Sequence, residues 1–141
     1  MEREEFLKSF GLSLALICSG SCFSGCSKDK NEGLASGTKV SVDLATQLKT
    51  IGSQTSTNGI LIFRIAEGNL SSSFVATQKL CPHENGNLNW IQADNKIVCD
   101  KHSAKFSTSG SVLSGPSVGG SVSPLKTYPV TIVGTTLTVT T

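Results

Sequence analysis

Aromatic and charged residues are scarce in this chain of 141 residues. Aromatic side chains make up 6% of the sequence and charged ones 16%, with a single tryptophan and a single tyrosine. A chain of this length is long enough for one domain with a modest core and too short for two full ones. Because glycine, serine and threonine are abundant, the composition favours a small β protein with many turns over a helical bundle.

A strong charge of one sign is absent as well. From residue 27 onward there are ten Lys plus Arg and seven Asp plus Glu, which leaves a net charge of +3 with neutral histidines. Such a mild and evenly spread charge argues against a partner made of nucleic acid.

The N-terminal segment lacks a hydrophobic run long enough to span a membrane. Its apolar run, FGLSLALIC at residues 10–18, has the length of a signal-peptide core. We therefore expect residues 1–26 to be a signal peptide that directs export to the bacterial cell envelope or periplasm. The segment FSGC ending at Cys26 resembles the lipobox of bacterial lipoproteins, which makes Cys26 a candidate lipid anchor and Cys22 a competitor. An ordinary cleaved signal peptide is the alternative.

The remainder of the chain carries the patterns of strands and turns. Residues 27–38 have no periodicity and several turn formers, which predicts a flexible tether before a domain at 39–141. Only residues 44–52 suit a short helix. Strands are predicted for KVSVDL, NGILIFRIAEG and SSFVATQKL, and hairpins for NWIQADNKIVC, turned at Asp94-Asn95, and YPVTIVGTTLTVTT, turned around Gly134. The expected fold class is all-β, an antiparallel sandwich or small barrel.

Histidine and cysteine are rare, and their placement is uneven. Both histidines and two of the five cysteines lie in CPHENGNLNWIQADNKIVCDKH, residues 81–102. They form the pairs Cys81-x-His83 and Cys99-x-x-His102, and each pair follows the end of a predicted strand in a tight loop. Two such loops at neighbouring hairpin tips bring two thiolates and two imidazoles together, and that ligand set indicates a metal site.

Three other interpretations of this window stay open on the residues alone. A disulfide between Cys81 and Cys99 would stabilise an exported protein by about 3 kcal/mol, but it leaves both histidines unexplained. Structural zinc usually groups cysteine with cysteine and histidine with histidine, whereas each pair here is mixed. A nucleophilic Cys-His pair lacks a third orienting group and leaves the second pair unexplained.

The mixed pairs resemble the signature of Rieske proteins. In a Rieske 2Fe-2S cluster two cysteines hold one iron and two histidines hold the other. The downstream segment KHSAKFSTSGSVLSGPSVGGSVSPLKTYPV is similar to the continuation of that family, and the likeness covers most of residues 60–135. The resemblance implies a β fold with a cluster-binding subdomain of two hairpin loops and a Gly-Pro loop. It also implies that Cys81 and Cys99 bind the inner iron, that His83 and His102 bind the outer iron, and that Gly115-Pro116 shields the cluster.

Departures from the family pattern suggest its smaller, ferredoxin-like members. Quinol-oxidising Rieske proteins carry a disulfide between the cluster loops, and the matching positions here are Gly86 and Lys101. Their serine and tyrosine hydroxyls, which bond the cluster sulfurs, correspond to Ala104 and Phe106, while Ser103 replaces a usual glycine. Each hydrogen bond to a cluster sulfur raises the potential. The resemblance therefore implies a potential in the lower half of a range of about −150 to +300 mV.

The resemblance implies one-electron transfer by an exported carrier or by the Rieske subunit of a larger oxidoreductase, without a substrate site of its own. Its partner is then a redox protein, such as a cytochrome, a quinol-oxidising complex or an oxidoreductase subunit. The alternative is a surface module stabilised by structural zinc or a disulfide. A Rieske oxygenase is set aside, because its second iron site needs further histidines.

Several neighbouring residues are expected to have ordinary structural roles. We expect Trp90 and Phe106 to pack in the core, since buried aromatic rings are common. Glu84 and Asp100, which flank the ligand loops, are expected to be solvated turn residues.

Overall fold

A computed structural model of the protein describes residues 35–141. The predicted signal peptide, both candidate lipidation cysteines and most of the predicted tether lie outside these residues. The described part contains eleven strands and two short 3-10 turns. The strands are β1 (Lys39–Asp43), β2 (Gln54–Thr57), β3 (Ile60–Arg64), β4 (Phe74–Gln78), β5 (Leu88–Ile91), β6 (Lys96–Cys99), β7 (Lys105–Phe106), β8 (Val112–Ser114), β9 (Thr127–Tyr128), β10 (Val130–Val133) and β11 (Thr136–Thr140).

These strands form three antiparallel sheets. The orders are β1-β11-β10, β2-β3-β4-β9 and β5-β6-β7-β8. The predicted C-terminal hairpin is confirmed, with Val133 opposite Thr136 across a turn in which Gly134 has φ +60°. The predicted hairpin at Asp94-Asn95 is also present, because β5 pairs with β6 and Asn95 closes the turn in the left-handed region. The expected all-β antiparallel fold is confirmed.

Strand β3 divides the buried side chains between two apolar cores. All five of its residues are buried, and successive side chains of a strand point to opposite faces. Ile60 and Ile62 therefore join the first core, together with residues of β1, β4 and β11. Leu61 and Phe63 join the second core, which lies against β5, β6 and β7. Each such aliphatic or aromatic side chain contributes about 1.5–3 kcal/mol through burial.

The second core extends to the functional window. Besides Leu61 and Phe63 it contains Cys81, Cys99 and the predicted core residues Trp90 and Phe106, all buried. The Trp90 ring stacks on Phe63 with centroids 4.5 Å apart. The core packing predicted for Trp90 and Phe106 is confirmed, and both cysteines belong to the same core.

The short helix predicted over residues 44–52 is wrong. The segment forms turns, and Leu44 and Leu48 are buried in the first core. The Asp43 carboxylate accepts a hydrogen bond from the N–H of Ala45 at 2.9 Å, which competes with a helical turn. Leu48 has φ +53°, a left-handed conformation that ends any helix. Packing of Leu44 and Leu48 in the first core therefore accompanies a turn and not a helix.

Candidate metal centre

The two loops that carry the Cys-His pairs share one backbone frame. In each, the cysteine N–H donates to the carbonyl of the fifth residue after it, and the fourth residue donates its N–H to the cysteine carbonyl. We call residues 81–86 the first ligand loop and residues 99–104 the second. The N···O distances are 2.8 Å (Cys81 to Gly86) and 2.9 Å (Asn85 to Cys81) in the first loop, and 2.9 Å (Cys99 to Ala104) and 3.1 Å (Ser103 to Cys99) in the second.

The frame needs a left-handed residue at its fourth position after the cysteine. Asn85 has φ +55° and Ser103 has φ +58°. Asparagine adopts this conformation more readily than most residues, and serine adopts it less readily than asparagine. Pro82, with a fixed φ and no N–H, lies directly after the first cysteine, where the frame requires no backbone donor.

The two ligand loops, which carry the four predicted ligands, both lie at one end of the β5-β6 pair. Cys81 and Cys99 are 1% and 3% exposed, and both are free cysteines. His83 and His102 are half-buried, with ring centroids 5.4 Å apart and an interplanar angle of 74°. Two sulfurs thus lie inside the protein and two imidazoles lie beyond them, nearer the solvent.

The buried thiol of Cys81 has an unusual electrostatic environment. Burial raises the pKa of this thiol above its ordinary value, and backbone N–H groups of His83 and Glu84 act in the opposite direction. N–H groups that point at a sulfur stabilise it once it carries negative charge. Because a metal displaces the thiol proton when it binds, the first ligand loop supplies donors suited to a metal-bound thiolate.

Gly86 lies where the two ligand loops approach most closely. A Cβ atom at this position would lie 2.6 Å from the Cys99 Sγ and 2.8 Å from the Lys101 Cβ. Only glycine allows this approach without displacement of the sulfur. Gly86 and Lys101, which the resemblance matches to the disulfide positions of quinol-oxidising Rieske proteins, therefore face each other across the loops.

The segment at 115–120, here called the Gly-Pro loop, lies against the second ligand loop. Pro116 is buried, and the N–H of Ser117 donates to the His102 carbonyl at 2.8 Å. Gly115 is exposed, and a Cβ atom added there would lie 3.6 Å from the Gly120 carbonyl oxygen, an ordinary van der Waals contact. Of the predicted shielding pair, Pro116 is thus buried and Gly115 is exposed.

Glu84 and Asp100 are exposed turn residues, as expected, and each also makes hydrogen bonds to another segment of the chain. The Glu84 carboxylate accepts a hydrogen bond from His102 Nε2 at 2.8 Å and pairs with Lys101 Nζ at 3.2 Å. The hydrogen bond from His102 is the largest cause, and the contact with Lys101 the next, of a pKa for the Glu84 carboxyl that lies below its ordinary value. Asp100 accepts from the backbone and side-chain nitrogens of Asn87 at 2.8 and 3.1 Å. Glu84 therefore links the two ligand loops, and Asp100 links the second loop to Asn87, directly after the first; sequence analysis missed both contacts.

The donor set fits a 2Fe-2S cluster of mixed ligation. Two free, buried sulfurs beside two more exposed imidazoles match a centre with two thiolates on one iron and two histidines on the other. Within residues 35–141, ligand atoms of His83, Glu84 and His102 also lie within 4.8 Å of one another. A metal bound by those three residues would leave the two buried sulfurs without a role. The proposed set of two cysteines and two histidines gives both sulfurs and both imidazoles a role.

Comparison with known proteins supports a 2Fe-2S cluster as the cofactor. The family model for the Rieske [2Fe-2S] domain matches residues 34–129. The cytochrome b6-f complex iron-sulfur subunit of Chlorobaculum thiosulfatiphilum is 35% identical over 66 residues, which make up 47% of this chain and 34% of that protein. The chain thus spans about a third of this curated relative.

Two solved structures have a similar fold. The cyanobacterial plasma membrane Rieske protein of Synechocystis superposes with a TM-score of 0.55 at 28% identity, covering 72% of this chain and 99% of the other. The ferredoxin of carbazole 1,9a-dioxygenase from Nocardioides aromaticivorans gives a TM-score of 0.54 at 21% identity, covering 75% and 98%. The second likeness shows the fold alone.

Proposed function

Because the chain belongs to the Rieske [2Fe-2S] domain family, we propose that it transfers single electrons through a 2Fe-2S cluster held by Cys81, His83, Cys99 and His102. The observation that carries the ligand assignment is the paired frame of the two ligand loops, which places two free sulfurs inside and two imidazoles outside. The cluster supplies a reversible one-electron couple. The protein holds it and controls access to it.

The ligand set determines the charge of the centre. Two ferric ions, two sulfides and two thiolates have no net charge when the histidines are neutral, whereas four thiolates would leave a dianion. A neutral centre accepts an electron more readily, which explains why Rieske potentials exceed those of plant-type ferredoxins, at about −400 mV. Ala104 and Phe106 are fully buried and carry no hydroxyl. We therefore place the potential in the lower half of the Rieske range.

The half-buried histidines provide the route to a partner. The His102 side chain is 21% exposed and that of His83 is also half-buried, whereas the sulfurs are shielded from solvent. Since electron transfer depends on close approach, a redox protein is expected to dock over the imidazoles. The b6-f relative is a subunit of a redox complex, and this supports a protein partner of that kind.

The cellular location forms part of the same proposal. Residues 1–26 are proposed to direct export, with Cys26 as lipid anchor and residues 27–38 as a tether to the domain at 39–141. Among the residues that the structure describes, no helix is long and apolar enough to cross a membrane. The anchor is tested by Cys26→Ser and Cys22→Ser variants in a bacterial host. Release of only the Cys26→Ser protein from the membrane fraction supports the proposal, and an unchanged distribution of both contradicts it.

The cluster is tested by low-temperature electron paramagnetic resonance on the dithionite-reduced protein. We expect a rhombic signal typical of a histidine-ligated 2Fe-2S centre. Substituting either histidine, as His83→Cys or His102→Cys, should abolish or shift this signal. An Asp94→Cys variant is the matched control, because it adds a thiol at the exposed turn of the same hairpin without replacing a proposed ligand.

The same samples distinguish the competing function. Rieske protein is red-brown and bleaches on reduction, whereas a zinc or disulfide module is colourless. Wild-type protein that is silent in resonance, with stoichiometric zinc or with Cys81 oxidised to Cys99, would overturn the electron-transfer proposal.

A further inference from the structure

The Glu84 carboxylate joins the two ligand loops at the edge of the candidate centre. It accepts the hydrogen bond from His102 Nε2 at 2.8 Å and lies 3.2 Å from Lys101 Nζ. Lys101 Nζ also donates to the Glu84 backbone carbonyl at 3.4 Å. His83 is the other titratable group here, with its ring centroid 5.4 Å from that of His102. Among residues 35–141, no hydrogen bond to the His83 ring is found.

This placement follows from the shared loop frame. Counting from each cysteine, Glu84 occupies the third position of the first ligand loop, and His102 occupies the third position of the second. Lys101 in turn occupies the position that His83 holds in the first loop. The two loops thus face each other with Glu84 beside the histidine of the opposite loop, and the contact is a product of the fold.

A carboxylate on one imidazole nitrogen determines what the other nitrogen can do. A neutral imidazole that donates from Nε2–H has an unprotonated Nδ1, which is free to bind a metal. A fixed negative charge beside a ligand also opposes the arrival of an electron, because reduction adds negative charge to the centre. The side chains of Glu84 and Lys101 are 47% and 50% exposed, so water and the lysine reduce this effect without removing it.

We propose that Glu84 is a positioning residue that fixes the tautomer of His102, lowers the reduction potential, and leaves His83 as the histidine with a free ring nitrogen for the redox partner. The inference rests on the proposed function, since it takes His102 as an iron ligand. It assigns different roles to the two histidines, which the sequence pattern treats alike.

The reduction potential tests the electrostatic part. In the full-length, cluster-loaded protein, Glu84→Gln retains a side-chain oxygen near His102 Nε2 and removes the charge. We expect the equilibrium constant for reduction to rise about tenfold, which corresponds to about 59 mV for one electron. Lys101→Gln, which removes the counter-charge, should shift the potential in the opposite direction.

Asp94→Asn is the matched control. It removes one negative charge at the exposed turn between β5 and β6, away from both histidines. The potential of this variant should stay close to that of the wild type. Equal shifts for Glu84→Gln and Asp94→Asn, or no shift for Glu84→Gln, would overturn the inference, since the effect would then be general or absent.

The tautomer is measured independently of electron transfer. Nitrogen-15 nuclear magnetic resonance of the cluster-free protein should show His102 protonated at Nε2 in the wild type and a mixture of tautomers in Glu84→Ala. A wild-type His102 protonated at Nδ1 would contradict the positioning role. If the reduced, cluster-loaded wild type gave no electron paramagnetic resonance signal, the proposed function itself would be overturned. The two failures are therefore distinguishable. Unchanged potentials in variants with an intact Rieske signal refute only the role of Glu84.

Discussion

The two ligand loops have the same backbone frame and different side-chain surroundings. Each frame presents a buried cysteine, Cys81 or Cys99, through the same pair of hydrogen bonds. The residue that closes the frame is Gly86 in the first loop and Ala104 in the second. A methyl group is accommodated at Ala104, which is fully buried, but at Gly86 it would meet the Cys99 sulfur. The backbone thus fixes where the ligands lie, and the side chains determine how closely the loops approach and what charge surrounds them.

Among substitutions in the two ligand loops, Gly86→Ala is expected to have the largest effect on stability and on iron content. The new methyl would lie 2.6 Å from the Cys99 Sγ and 2.8 Å from the Lys101 Cβ, so the loops must separate. Overpacking of this kind costs about 1–3 kcal/mol. We expect the free energy of unfolding to fall by that amount and the iron content per chain to drop sharply. Denaturant unfolding and metal analysis measure the two effects.

Gly115→Ala is the control for Gly86→Ala. The nearest atom to its new methyl is the Gly120 carbonyl oxygen at 3.6 Å, an ordinary contact. This variant should retain its iron and its stability. If Gly86→Ala behaves in the same way, the loops do not depend on close approach at Gly86, and the contrast with Ala104 has no structural consequence.

A smaller loss in the free energy of unfolding is expected from Asp100→Ala. This carboxylate accepts from the backbone N–H of Asn87 at 2.8 Å and from its side chain at 3.1 Å, and so ties the second ligand loop to the chain leaving the first. Pro82, at the corresponding position of the first loop, makes no such contact. Because Asp100 is exposed, we expect a loss of only about 1 kcal/mol in the free energy of unfolding.

Thermal and denaturant unfolding of the cluster-free protein measure that loss directly. Asp94→Ala removes a carboxylate at the opposite end of the same hairpin and serves as the control. A loss for Asp94→Ala as large as that for Asp100→Ala would show that the effect comes from overall charge and not from the link between the loops.

Sequence patterns predicted the features that depend on local chemistry. The alternating strands, the turn at Gly134 and the ligand pairs at strand ends all follow from residue type and short spacing. The confirmed Rieske-type fold and 2Fe-2S cofactor came from the mixed Cys-His pairs and the Gly-Pro continuation. These signals are visible because turn formers and metal ligands act over a few residues.

Features that depend on distant contacts were missed. Strands β7 and β9 have two residues each, too few for any periodicity, and they exist because longer neighbours pair with them. Arg64 is buried despite its charge and donates to the Leu48 carbonyl at 2.6 Å, a contact across 16 residues. The helix predicted around Leu48 failed for the same reason, since burial in the first core determined its conformation. Glu84 reaches His102 across 18 residues, a contact that no local pattern indicates.

We expect the smallest effect on the free energy of unfolding from substitutions at the left-handed residues of the two frames. Ser103 has φ +58° and Asn85 has φ +55°, and asparagine tolerates this region better than serine. Glycine removes the strain at either position but adds entropy to the unfolded chain. We therefore expect Ser103→Gly to raise the free energy of unfolding by about 0.5–1 kcal/mol and Asn85→Gly to leave it nearly unchanged. Urea unfolding of the cluster-free variants measures both, and an equal gain at the two positions would show that the frames store the same strain, so that only their side-chain surroundings distinguish the loops.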